Sequence, residues 1–300
     1  MRAGKLYILL ITVFLFTACE KDITVDLPQP ESKLVVDGYV EFNKPIYILL
    51  SRNAPYFSPI DPSTVNTGET GATVTVNDGF QSVVLNELPL TIDGVSISGL
   101  YIALNLSTGD TLMKGETGKT YFLNITSADG KIVTATTKLH PAVPLDSVWF
   151  EVQTTIPDND SLGYIWSRLN DPDTLNNCYR WMAMRAGKDS SFIPPFGSSF
   201  EDKFVNGTRF EFAFQRGSLL NSSAEDDINE EAGLFKKGDS VIVKFCSVDR
   251  TTFQFWRDAE TQVANNGSPF SSPAPIRSNI IGGLGLFASY NPYYHSFRLK

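Results

Sequence analysis

The sequence predicts a mainly β protein. An immunoglobulin-like antiparallel β-sandwich is expected over residues 34–140, followed by a second β-rich domain over 145–300 with one docked helix near 250–265. Three observations predict this. From Leu34 onward, short apolar segments are separated by Gly, Pro, Asn and Asp, as in chains built from many short strands. Several of these segments alternate apolar and polar residues with a period of two. Convincing helical spacing occurs in one stretch, after Asp249.

Composition bounds the function. The 300 residues carry 25 Lys+Arg and 33 Asp+Glu, so the formal charge is 25 − 33 = −8. At 42% hydrophobic and 19% charged, the chain can bury a core and is not expected to be disordered. The acidic balance argues against nucleic acid as a partner, because phosphates demand a basic face. It also argues against adsorption to an anionic lipid surface by charge alone. With two His and three Cys, a His-rich metal centre or a zinc ribbon is nearly excluded, and no metal site or cofactor is expected.

Taken in order, the first element is an address. Arg2 and Lys5 precede an unbroken apolar run, Leu6 to Phe16. A bilayer span needs about 20 apolar residues, so this run reads as a secretory signal over residues 1–18. Thr17 and Ala18 directly before Cys19 resemble a bacterial lipobox, which departs here only at Phe16, where Leu is usual and Leu15 sits one place early. Such a cysteine takes a diacylglyceryl thioether, becomes the new N-terminus after cleavage and is then acylated. Each buried CH₂ contributes roughly 0.8 kcal/mol and one chain anchors only marginally, so two or three chains on Cys19 would give membrane attachment without a spanning helix. The alternative is an ordinary secretory signal with an incidental cysteine.

Residues 19–33 read as the lipidated cysteine and a tether. Glu20-Lys21-Asp22 loosely resembles the export triplets of surface lipoproteins in Bacteroidetes, and reads equally well as a solvated start to the spacer. Pro28 and Pro30 stiffen that spacer.

Strand-like segments follow at Leu34–Val40, Ile46–Leu50, Ala72–Val76, Gln81–Leu88, Gly99–Leu106, Tyr121–Thr126 and Lys131–Lys138. Asn77-Asp78-Gly79 and Asp129-Gly130 supply hairpin turns, since Asn, Asp and Gly tolerate positive φ. This spacing suggests a sandwich of immunoglobulin size. The Cys…Trp…Cys signature of true immunoglobulin domains is absent, so only the architecture is implied. His140-Pro141-Ala142-Val143-Pro144 interrupts the pattern and marks a domain boundary, or else a loop inside one larger sandwich.

The second half offers strands at Ser147–Val152, Tyr179–Arg185 and Asp239–Val248, and a tail returning to strand over Ile280–Leu299. Asn206-Gly207 is expected to join Lys203–Val205 to Thr208–Gln215, where Phe210, Phe212 and Phe214 alternate with polar or small residues. Asp249 can cap the helix. Phe253, Trp256, Ala259 and Val263 form its apolar stripe, and Asn265-Asn266-Gly267 ends it.

Chemistry is sparse. Gly283-Leu284-Gly285-Leu286-Phe287-Ala288 matches a dinucleotide string, but Asn291-Pro292 replaces the required helix, so the glycines read as a bend in a strand. No catalytic residue is assigned. His140 sits in the linker, and His295 lies among aromatics without a named partner. Asp158/Asp160 and Asp171/Asp173 read as turn residues rather than calcium ligands. Cys178 and Cys246 are either a bridge, contributing on the order of 4 kcal/mol in an oxidising compartment, or two buried thiols. Asp110-Thr111-Leu112, Asp146-Ser147-Val148 and similar triplets resemble Bacteroidetes O-glycosylation acceptors, a pattern short enough to arise by chance.

Cys19-Glu20-Lys21-Asp22, Leu34–Val40, Tyr47–Arg52 with Pro55-Tyr56-Phe57, and Ser278–Phe287 occur in an order that resembles the Bacteroidetes lipoproteins of the domain-of-unknown-function family 4249. The resemblance implies an outer-membrane lipoprotein, without an established activity, often encoded near TonB-dependent receptors. The expectation is therefore a non-enzymatic, lipid-anchored accessory protein that binds a ligand or such a receptor, with the aromatics Tyr56-Phe57 and Tyr290–Tyr294 as contacts. The rivals are an envelope hydrolase using His295 or paired carboxylates, and a structural or adhesive surface protein.

Overall fold

The computed structural model describes residues 32–53, 68–92, 95–155, 159–217, 233–265 and 275–300. Cys19, the signal segment, Tyr56-Phe57 and Asp158 lie outside them.

In the first half, the strands are β1 (Leu34–Glu41), β2 (Tyr47–Arg52), β3 (Thr73–Asn77), β4 (Ser82–Val84), β5 (Asn86–Glu87), β6 (Leu90–Ile92), β7 (Val95–Ile97), β8 (Leu100–Ile102), β9 (Thr120–Thr126) and β10 (Ile132–Lys138). In the second half come β11 (Leu145–Val152), β12 (Leu162–Asn170), β13 (Cys178–Arg185), β14 (Ser199–Glu201), β15 (Arg209–Phe214), β16 (Phe235–Lys236), β17 (Ser240–Val248), helix α1 (Arg250–Asn265) and β18 (Leu284–Arg298). The protein is mainly β, as expected.

An eight-stranded sheet, in the order β14-β13-β17-β18-β1-β2-β8-β5, runs through both halves of the sequence. Its spine is the 15-residue β18. Residues 284–290 of β18 pair parallel with β1, and residues 290–298 pair antiparallel with β17. Tyr290 is in register with both Glu41 and Val248. Among the described residues no strand pairs with the β1 side of β18 beyond Tyr290, which accommodates Pro292: a proline fits a strand only where its missing N–H would face an unpaired edge.

Alternation along β18 assigns the two faces. Phe287 enters one core with Leu34, Val36, Ile48 and Leu50, beneath the four-stranded sheet β10-β9-β3-β4. Tyr293 and Phe297, an even number of residues further on, point to the same side and pack into a second core with Trp181, Phe245 and Phe214, beneath β11-β12-β15. Two sandwiches thus share one long sheet. Each fully buried Leu, Val, Ile or Phe contributes roughly 1.5–3 kcal/mol. The linker at 140–144 falls between two cores but not between two sheets, and Ser32–Lys300 packs as one compact unit. Two glycines make the β1–β18 pairing possible. A side chain on Gly38 would strike Ile48 and Phe287 at 2.7 and 2.8 Å, and one on Gly285, at φ +103, would strike the Val36 carbonyl oxygen. Gly285 is the bend that the sequence suggested.

Helix α1 covers part of the opposite face. Asp249 caps it, accepting the Thr252 N–H at 2.7 Å, while its other oxygen accepts the Thr137 hydroxyl at 2.7 Å. The cap therefore also bonds the helix start to β10. Phe253 is buried, but Val263 at the end of the stripe is exposed.

Two expectations need correction, and of the two readings of the cysteines the structure has the buried thiols. Lys203–Val205 is not a strand: it forms tight turns, with the Val205 N–H on Asp202 and the Thr208 N–H on Val205. β15 instead pairs with β12, a strand absent from the sequence reading. Cys178 and Cys246 are both free and buried. Cys178 lies opposite Val248 and Cys246 opposite Arg180, so the thiols are diagonal neighbours on one face. Diagonal positions in adjacent antiparallel strands are about 7–8 Å apart, beyond the usual reach of a disulfide.

Candidate functional site

The helix-side face of the long sheet concentrates the chemistry. It has two adjoining parts, one under α1 and one open.

Under α1, Arg180 projects from β13 and is only 4% exposed. Its guanidinium carbon lies 3.6 Å from the centre of the Trp256 ring. Among the described residues its Nη1 has no hydrogen-bond partner. Burial pulls its pKa down, against the nearby Tyr290, Glu260 and Tyr39. An arginine nevertheless keeps its proton, so the site holds a desolvated cation whose main direct contact is an aromatic face. Trp256 Nε1 donates to the Tyr290 hydroxyl at 2.8 Å. Tyr290 stacks on Tyr39 at 5.8 Å, and Tyr39 on Tyr47 at 4.9 Å. These rings continue from the covered part to the open part.

In the open part, Glu41 is the centre. Lys244 donates to it at 2.5 Å, Lys44 bridges to it at 2.6 Å, and the Tyr294 hydroxyl donates to it at 3.1 Å. Burial pushes Glu41 up, but the two lysines outweigh it and hold the carboxyl below its ordinary value. Lys244 also lies 5.5 Å from the Phe192 ring and 5.9 Å from Tyr294. Tyr47 and Tyr294 remain 37% and 43% exposed. Charges are satisfied beneath and aromatic surface faces outward. Such a face suits contact by area and hydrogen bonding.

Of the sequence candidates, the Tyr290–Tyr294 segment divides. Tyr290 is buried, Tyr293 packs into the second core, and Tyr294 is exposed. His295 lies on the opposite sheet face from Tyr294, its ring 5.5 Å from Phe297. His140 is half-buried, and burial together with Lys138 lowers its pKa. Burial pushes both thiols up to about 12, so neither is an activated nucleophile. Asp171 accepts the Tyr179 hydroxyl at 2.5 Å and the Gly207 N–H at 3.1 Å, a structural role. Among the described residues, no group of three or more His, Cys, Asp or Glu is placed to hold a metal. None of their helices is long and apolar enough to cross a membrane.

Sequence reasoning missed Arg180. An arginine inside a strand reads as a solvent-facing residue, and nothing local reveals that α1 returns to cover it. The signal available was indirect: Arg180 sits between Tyr179 and Trp181, inside a segment with no clean alternation.

The fold and this face define a β-rich protein of two sandwiches on a shared sheet, with an aromatic and charged surface beside helix α1. The chain belongs to the family described as "Domain of unknown function (DUF4249)", which matches residues 20–294. A search of the curated proteins finds no match.

Proposed function

We propose that this chain is a non-enzymatic envelope lipoprotein, anchored in the outer membrane through fatty chains on Cys19. It would bind a partner through the open part of the helix-side face. The partner class is a membrane receptor of the TonB-dependent type. The observation that carries the reading is the exposure of Tyr47 and Tyr294 around the internally paired Glu41 and Lys244. Exposed tyrosines beside charges that are already paired with one another can contribute contact area at small desolvation cost. Cys19 precedes Leu34 by 34 − 19 = 15 positions, enough for a reach of about 50 Å when extended. The hydrolase reading would need a nucleophile and base in contact, and no observation favours it.

The test is affinity capture of the full lipidated chain from detergent-solubilised envelopes. A barrel receptor should be retained by the parent and lost by a Tyr47→Ala/Tyr294→Ala chain of unchanged melting temperature. Partner-free parent protein would overturn the binding reading. A Cys19→Ala chain that still fractionates with lipid would overturn the anchor.

A further inference from the structure

A second site lies on the outer face of β10-β9-β3, away from the helix-side face and independent of the function proposed above. A groove of about 490 Å³ opens there. We propose that it binds a neutral saccharide of one or two rings.

The register builds the floor in two transverse rows. Thr134, Asn124 and Thr75 are aligned across the three strands in one row, and Thr136, Phe122 and Asn77 in the next. Ser82 of β4 extends the second row, accepting from Asn77 Nδ2 at 2.6 Å. Phe122 is 48% exposed and is flanked on either side by a hydroxyl and an amide.

One wall comes from the segment before β18. Ile281 exchanges backbone hydrogen bonds with Thr134, at 2.8 and 3.1 Å. Asn279 fixes this strap: its Nδ2 donates to the Thr136 and Phe287 carbonyls at 2.9 and 2.7 Å, and its Oδ1 accepts the Phe287 N–H at 3.0 Å. The wall is therefore preformed, which favours binding by removing an ordering cost. The strap also occupies the edge of β10 at Thr134, so an added peptide strand cannot pair there.

The lining chemistry selects the ligand class. None of the described residues lining the groove carries a charge. A phosphate or carboxylate ligand would find no cation, and an amine no anion. The Asn77 and Asn279 amides are engaged within the protein, but the Asn124 amide and the Thr75, Thr134 and Thr136 hydroxyls each offer both donor and acceptor, which matches the hydroxyls of a sugar ring. The exposed Phe122 ring supplies the apolar surface against which the C–H face of a pyranose can lie. The volume falls within the usual range of small-ligand sites, about 300–1,000 Å³.

Saturation-transfer NMR on the full mature chain tests this, with glucose, galactose, mannose, xylose, N-acetylglucosamine, maltose and cellobiose as probes at about 10 mM, a range that detects millimolar affinity. At least one sugar should receive saturation. Phe122→Ala and Asn124→Ala should each weaken that sugar by about tenfold or more, while Phe80→Ala, an exposed phenylalanine outside the groove lining, should leave it unchanged. Both groove side chains are exposed, so circular dichroism and melting temperature should match the parent. The proposal is overturned if no sugar in the panel binds, if binding survives both groove variants, or if galacturonate alone binds.

Discussion

Arg180 and Trp256 meet face to face, with the guanidinium carbon 3.6 Å from the ring centre, and the same indole donates to Tyr290 at 2.8 Å. The contact ties α1 to β13 and to the residue where β1, β17 and β18 converge. A buried cation over an aromatic face contributes about 2 kcal/mol.

Trp256→Ala removes both contacts and leaves Arg180 without its ring. The expected loss is about 2–4 kcal/mol in urea unfolding. Trp256→Phe keeps a ring face and loses only the hydrogen bond to Tyr290, for about 1 kcal/mol. Equal losses in the two variants would show that the cation–ring contact contributes nothing.

The two thiols should be unreactive in the folded protein. Burial raises both to about 12, against about 8.5 in an unfolded chain. Iodoacetamide at pH 8 should label neither Cys178 nor Cys246 natively and both in denaturant. As pH rises above about 8.5 the unfolded thiols ionise first, so stability should fall toward alkaline pH. A Cys178→Ala/Cys246→Ala chain should lose part of that alkaline slope.

Asp78 should contribute acid sensitivity. Burial pushes its carboxyl up, but the Lys119 ammonium and the Gln81 and Phe80 amides outweigh it and hold the group at about 2. The unfolded value is about 3.9. Its stabilisation is therefore present above about pH 4 and is lost as pH falls toward 2. Asp78→Asn should flatten that part of a pH–stability profile measured by denaturant midpoint, and an unchanged profile would count against the assignment.

Gly285→Ala should be costly for two reasons, its positive φ and the Val36 carbonyl against which a Cβ would press. A loss of about 2 kcal/mol or more is expected. Gly118 also has positive φ, at +85, but faces open space. Gly118→Ala should cost only about 1 kcal/mol. Calorimetry on the pair separates backbone strain from collision.

Much of the fold was legible. The alternation in Tyr121–Thr126 and Lys131–Lys138 became β9 and β10, and Asp249 began α1 as its capping chemistry requires. Lys203–Val205 misled because Asn-Gly signals a turn without saying which segment the chain returns to. β12 was missed although Tyr164, Trp166 and Arg168 alternate with Gly163, Ile165 and Ser167. Most of the candidate site was not legible. Tyr294 was named from its aromatic cluster, but Arg180, Glu41, Lys244 and Tyr47 come together only across strands distant in sequence.

By itself the sequence determined the strand-rich class and the helix with its cap, because periodicity, turn chemistry and capping act over a few neighbouring residues; the family followed from the order of its motifs along the chain. Tertiary structure alone decided that the last strand lies beside the first, that the two cysteines sit diagonally, and that one face gathers the rings and charges. Those outcomes depend on register and on which edges find each other, and pairing between segments some 250 positions apart leaves no local mark in the chain.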